Sequence, residues 1–126
     1  MTSLSIDLAR VHDVLDDDGS EHAEYRVLTD RLWPRGIKKE RLQYDEWPKD
    51  AAPSDDLRKA FHSGELDFTT FAEHYRSELE DSGEAKALRE RALEAGATRL
   101  VLLFAAKNTE HNHAEVLRDA VAEAGR

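Results

Sequence analysis

Two stretches bring together side chains that can do chemistry. The first is Val27-Leu28-Thr29-Asp30-Arg31-Leu32-Trp33-Pro34-Arg35-Gly36, where an apolar run breaks into a loop. Arg31 and Arg35 are permanently charged planar forks, matched to carboxylate or phosphate. Trp33 offers a flat face, Pro34 fixes the backbone beside it, and Gly36 frees it. The second is Lys107-Asn108-Thr109-Glu110-His111-Asn112, directly after an apolar run. Lys107 adds a cation and Asn108 and Asn112 add amides. His111 is a hydrogen-bonding or proton-transfer group. Each stretch supplies half of an anion site, with Arg31, Trp33, Arg35, Lys107, Asn108 and Asn112 binding and His111 or Asp30 moving a proton.

Plainer readings stand beside these. Arg31 has Asp30, Asp45 or Glu46 as candidate ion-pair partners. Trp33 suits a core, and Asn112 suits a helix cap. Arg58 and His62 share one face of a helix at i, i+4, where local bonding competes with function. His111 and His113, two apart on a helix, face different sides and make a poor metal pair. Asp16-Asp17-Asp18-Gly19-Ser20 lacks the alternating ligands and twelfth-position glutamate of a calcium loop, so it reads as a solvated turn. No phosphate-binding loop or nucleophile elbow is present. Neither a metal nor a cofactor is implied.

Two edges must converge for such a site to exist, and the periodicities supply them. Leu4, Ile6 and Leu8 alternate with Ser5, Asp7 and Ala9, a half-buried strand running to about Val11. Tyr25 to Leu32 reads as a second strand, stopped by Trp33-Pro34. Ile37 to Leu42 allows one helical turn. Gln43 to Asp50 is an edge segment demoted by Trp47-Pro48. Ser54 caps a helix ending at Ser63-Gly64, and Asp67 caps another with the stripe Phe68, Phe71, Tyr75 and Leu79, broken at Ser82-Gly83. A third helix covers Glu84 to Glu94. Leu100 to Ala106 is apolar on both faces, as a central strand covered from both sides must be. Thr109 caps a last helix, Glu110 to Glu123.

This order predicts a single α/β domain over residues 1–126, a small three-layer sandwich whose mainly parallel sheet is flanked by helices. In such sheets ligands bind beyond the carboxyl ends of the strands, where both basic loops emerge.

Composition narrows the rest. The 126 residues carry a net charge of −9, which excludes a non-specific duplex-DNA binder with a broad basic face. The absence of cysteine removes disulfides and thiolate chemistry. No apolar run spans a bilayer and Met1-Thr2-Ser3-Leu4 is no secretory leader, so a cytoplasmic setting is expected.

Three strings also resemble a known family. Val27-Leu28-Thr29-Asp30-Arg31-Leu32-Trp33-Pro34-Arg35-Gly36-Ile37-Lys38-Lys39 is similar to the signature of the YeaO-like proteins, a branch of a prokaryotic domain family of unknown function. Asp45-Glu46-Trp47-Pro48-Lys49 with Leu57-Arg58-Lys59-Ala60-Phe61-His62 resembles its middle. Leu102-Leu103-Phe104-Ala105-Ala106-Lys107-Asn108 with His111-Asn112-His113-Ala114 resembles its end. Phe104 stands where tyrosine is common, so a phenol there is dispensable. The resemblance implies a short cytoplasmic α/β protein and carries no established activity. The regulator label attached to some members conflicts with the acidic charge and the lack of a helix-turn-helix pattern. The expected ligand is a small phosphate- or carboxylate-bearing molecule, including a nucleotide, bound with or without turnover. The alternative is a ligand-sensing or protein-interaction module anchored by Trp33 and Trp47.

Overall fold

A computed structural model describes residues 4–16, 23–108 and 111–125. Within them, three strands, β1 (Ser5–Arg10), β2 (Glu24–Leu28) and β3 (Arg99–Phe104), form one parallel sheet in the order β1-β3-β2. Leu102 of β3 lies between Leu8 of β1 and Val27 of β2, so all three carboxyl ends reach one edge.

The alternation along β3 divides the core. Leu100, Leu102 and Phe104 join Val27, and beneath them pack buried residues of α1 (Asp55–His62), α2 (Phe68–Ser82), α3 (Glu84–Glu94) and α4 (His113–Ala124). Val101 and Leu103 face the other way, with Leu28, Val11 and Leu42. The layer on that side is not α-helical. It is built from short 3-10 turns at Val11–Asp13 and Lys39–Arg41 and from Trp33, Ile37, Tyr44 and Trp47. The Trp33 ring meets Trp47 edge-on at 5.5 Å and Tyr44 at 5.7 Å. Both indole N–H groups donate inward, Trp33 to the Ile37 carbonyl at 2.6 Å and Trp47 to the Asp30 carbonyl at 2.7 Å. The three layers are thus helices, sheet and an aromatic loop.

Local rules account for the helix ends. Ser54 accepts the Leu57 N–H and Asp67 accepts the Thr70 N–H. Gly83, at φ 72°, ends α2 and starts α3 in one residue, a left-handed turn that favours glycine.

β3 runs from Arg99 to Phe104 and not from Leu100 to Ala106, and three other boundaries differ from expectation for a physical reason. β2 ends at Leu28, not Leu32, because β3 stops at Phe104 and the next N–H, that of Ala105, is taken by the Asp30 carboxylate at 2.9 Å. A side chain replaces the next rung of the ladder. The edge segment contracts to one bridge, Val27 to Glu46, because Trp47-Pro48 turns the chain away. The last helix begins at His113 and is capped by Asn112, whose Oδ1 accepts the Glu115 N–H at 3.0 Å. The expected cap, Thr109, and Glu110 lie outside the described residues.

Asn112 also donates from Nδ2 to the Asn108 carbonyl at 2.9 Å, so one side chain closes both the helix and its entry loop. Replacing a capping asparagine by alanine removes both bonds. Asn112→Ala is expected to lose about 1–2 kcal/mol in urea unfolding, with Asn112→Asp recovering the capping part. A loss below a few tenths would show that the cap does not hold this loop.

Candidate functional site

The carboxyl edge of the sheet opens, on its helical side, into a cavity of about 280 Å³. Its polar lining comes from three places. Asp30 and Arg31 follow β2, Arg58 and His62 come from α1, and His111, Asn112 and His113 stand at the start of α4. Pro53, Phe61, Phe71, Ala105 and Ala106 supply its apolar wall.

Asp30 is the best-held of these side chains. Its carbonyl accepts the Trp47 indole N–H from the loop layer, and its Oδ2 accepts the Ala105 N–H from the end of the central strand. The side chain is only 19% exposed and has no arginine or lysine partner among the described residues. Burial therefore dominates its acidity. It lifts the carboxyl to about 6, against the lowering influence of the Ala105 N–H and of a charge on His62.

His113 lies beside it, with Nε2 3.0 Å from Thr29 Oγ1 and 3.5 Å from Asp30 Oδ1. The Thr29 hydroxyl gives its one proton to the Leu103 carbonyl at 2.7 Å, so it must accept from His113. The network assigns the Nε2–H tautomer to a neutral imidazole. Burial is the main cause of that neutrality, with a His62 charge adding to it, and together they lower His113 to about 4. At neutral pH the pair is an ionised aspartate and an uncharged histidine.

The arginines are less occupied. Arg58 gives Nη2 to Asp55 at 2.9 Å, while its Nε is buried without an acceptor among the described residues. Arg31 has Asp55 at 3.9 Å and none of the three partners considered from sequence, Asp30, Asp45 and Glu46. Asp55 also meets Lys59 at 3.7 Å, so one exposed carboxylate is shared among three cations.

Four residues singled out from sequence thus line one cavity: Asp30, Arg31, His111 and Asn112. Asn112 serves as the helix cap. The His111 ring stacks on Phe68 at 4.9 Å. Trp33 is placed elsewhere, because the loop after Asp30 crosses to the opposite face and packs the ring against Tyr44 and Trp47. Arg35, Lys107 and Asn108 are exposed and are not part of the cavity lining. Asn108 instead braces the loop, accepting the His111 N–H on Oδ1 at 3.0 Å.

The site also holds residues that sequence reasoning set aside. Arg58 and His62 were visible as an i, i+4 pair flanking the Leu57 and Phe61 stripe. His113 was placed on a different helix face from His111. With the helix starting at His113, His111 belongs to the entry loop and both reach the cavity. No group of three or more His, Asp or Glu side chains suited to a metal occurs among the described residues.

Residues 5–126 match the family described as "Inactive DUF488-N3 subclade". The chain belongs to this family. It is 46% identical over 117 residues to the uncharacterized protein YeaO of Escherichia coli K12, covering 92% of this chain and 96% of that one. It is therefore a YeaO-like member. Uncharacterized proteins of Mycobacterium tuberculosis H37Rv, Rv3073c, and of Mycobacterium bovis, Mb3100c, are 36% identical over 110 residues, 87% of each chain. No solved structure was found to match this family member. No helix among its described residues is long and apolar enough to cross a membrane.

Asp30 and His113 make opposite contributions to stability as pH changes. Asp30's folded pKa lies above its ordinary 3.8, so its contribution is present below about pH 4 and is lost as pH rises through about 6. His113's lies below its ordinary 6.5, so its contribution is present above 6.5 and is lost as pH falls through about 4. Across this window the two slopes offset. Relative to wild type, Asp30→Asn should gain stability as pH rises from 4 to 6.5, and His113→Gln should lose it. Parallel profiles for all three proteins in urea unfolding would refute the pairing.

Proposed function

We propose that this chain binds a small phosphate- or carboxylate-bearing ligand in the cavity at the carboxyl edge of its sheet. The observation that carries the reading is Arg58, a cavity-lining guanidinium whose buried Nε–H has no acceptor among the described residues. A buried donor left unmade costs about 1–3 kcal/mol, more for a charged group, and a shift of the guanidinium toward an anion in the cavity would relieve it. Arg31 adds a second, half-buried fork at the same wall. Phe61 and Phe71, stacked at 4.3 Å, give the ligand's body an apolar surface. The cavity volume suits a molecule smaller than a typical drug. We take the protein to act in the cytoplasm, consistent with its lack of cysteine.

Binding without turnover is the form that fits the family's description as inactive. A second reading, proton transfer, is favoured by one observation. Asp30 is a buried carboxylate whose acidity sits near 6, the range in which a general base works at neutral pH. His111, stacked and exposed at the rim, is the other candidate proton carrier.

A thermal-shift screen against phosphate, sulfate, nucleotides and small carboxylates tests the binding reading. A compound at about 100 times its dissociation constant should add roughly 2.7 kcal/mol. That shift should vanish in Arg58→Gln and weaken in Arg31→Gln, while the unliganded proteins melt close to wild type. If no anion shifts the melt, or the shift survives Arg58→Gln, the anion site is wrong. Incubation of any hit followed by NMR separates the two readings. Unchanged ligand supports binding alone, whereas product formation abolished by Asp30→Asn supports catalysis.

A further inference from the structure

We infer that the ligand of this cavity carries a hydrogen-bond donor, a hydroxyl or an N–H, as well as its anionic group, and that Asp30 Oδ1 receives it. The inference rests on the anion-binding reading above and deepens it. A cavity built only to hold an anion is weakened by a carboxylate in its wall, because the two negative charges repel. Asp30 is nonetheless fixed there twice, by the Trp47 indole from the loop layer and by the Ala105 N–H at the end of the central strand.

The hydrogen bonds of Asp30 are one-sided. Oδ2 accepts the Ala105 N–H at 2.9 Å. Oδ1 meets His113 Nε2 at 3.5 Å, beyond a good hydrogen bond, and that N–H is engaged by Thr29 at 3.0 Å. An ionised carboxylate offers about four acceptor positions, so Oδ1 has capacity that the protein's described residues leave unused. His113 cannot compensate by ionising, since burial keeps it neutral.

The cavity therefore presents an acceptor, Asp30, and a donor, Arg31, from the loop after β2, and a second donor, Arg58, from α1. Arg58 and Arg31 match an anion, and Asp30 matches a polar hydrogen on the same molecule. Its volume of about 280 Å³ limits that molecule to the scale of a sugar phosphate or hydroxy acid. A ligand with both groups escapes the repulsion through its hydrogen bond, whereas a bare anion does not. The wall thus discriminates by what the anion is attached to.

Titration calorimetry on the full chain with methyl phosphate, glycerol 3-phosphate and ribose 5-phosphate, and with acetate against glycolate, tests this. Within each anion type, wild type should bind the hydroxyl-bearing probes at least tenfold more tightly than the bare one. Asp30→Asn should reverse the order of effects. It removes the repelling charge and so tightens methyl phosphate, while it loosens ribose 5-phosphate. A merely structural role for Asp30 would move both probes the same way. Equal affinities of bare and hydroxyl-bearing probes in wild type would overturn the inference and leave the anion site standing. No binding of any probe would overturn both. The wild-type series decides the matter alone if Asp30→Asn fails to fold.

Discussion

Every rung of the parallel ladder has β3 as one of its two sides. β1 and β2 each pair with it and not with each other. Its alternating side chains also supply the centre of both cores, Leu100, Leu102 and Phe104 to the helices and Val101 and Leu103 to the aromatic loop. Removing such a strand from water on both faces contributes to the apolar burial that is the dominant favourable term in folding. It also fixes where chemistry can occur. The chain leaves β3 at Phe104, and the first unpaired rung is the place where Asp30 substitutes its carboxylate for backbone.

That substitution ties the site to the fold. The same residue is gripped by an indole from the aromatic loop and a peptide N–H from the end of the central strand, so its position is set by the packing of those two layers. The electrostatics are balanced rather than neutralised. A buried carboxylate normally has a cation beside it, but here its neighbour is an uncharged histidine held by a threonine. Such a pair holds a desolvation cost that the described side chains leave uncompensated.

Patterns of short range were legible in the sequence. The two-faced apolar run of β3, the caps Ser54 and Asp67, the stripe from Phe68 to Leu79 and the break at Gly83 each depend on neighbours within a few residues. The site was half legible for the same reason. Asp30 and Arg31 belong to the motif, and both adjoin a strand end that the sheet rule points to. What could not be read was the side to which the following loop turns. Trp33 and Arg35 lie beyond a crossing from one face of the sheet to the other, and local spacing carries no information about that choice. The same ignorance hid Arg58, His62 and His113. Their approach depends on how α1 and α4 lean over the sheet edge, and α4 starts later than a Thr109 cap implied, because Asn112, the other cap reading, closes it.

The sheet order has a consequence for how the protein is made. Ser5 pairs with Arg99 and Glu24 pairs with that same residue, so both outer strands wait for a segment near the far end of the chain. During synthesis, helices α1 to α3 follow β1 and β2 and emerge before β3, with no sheet to pack on. Two strands meanwhile remain unmatched, with their backbone groups bare. Closing loops of this span before any strand contact forms is slow, since the entropy of ordering precedes its reward. The nascent chain therefore lacks its sheet until β3 is free to pair. It passes through a period of exposed edges that ends when β3 slots between two strands made long before it.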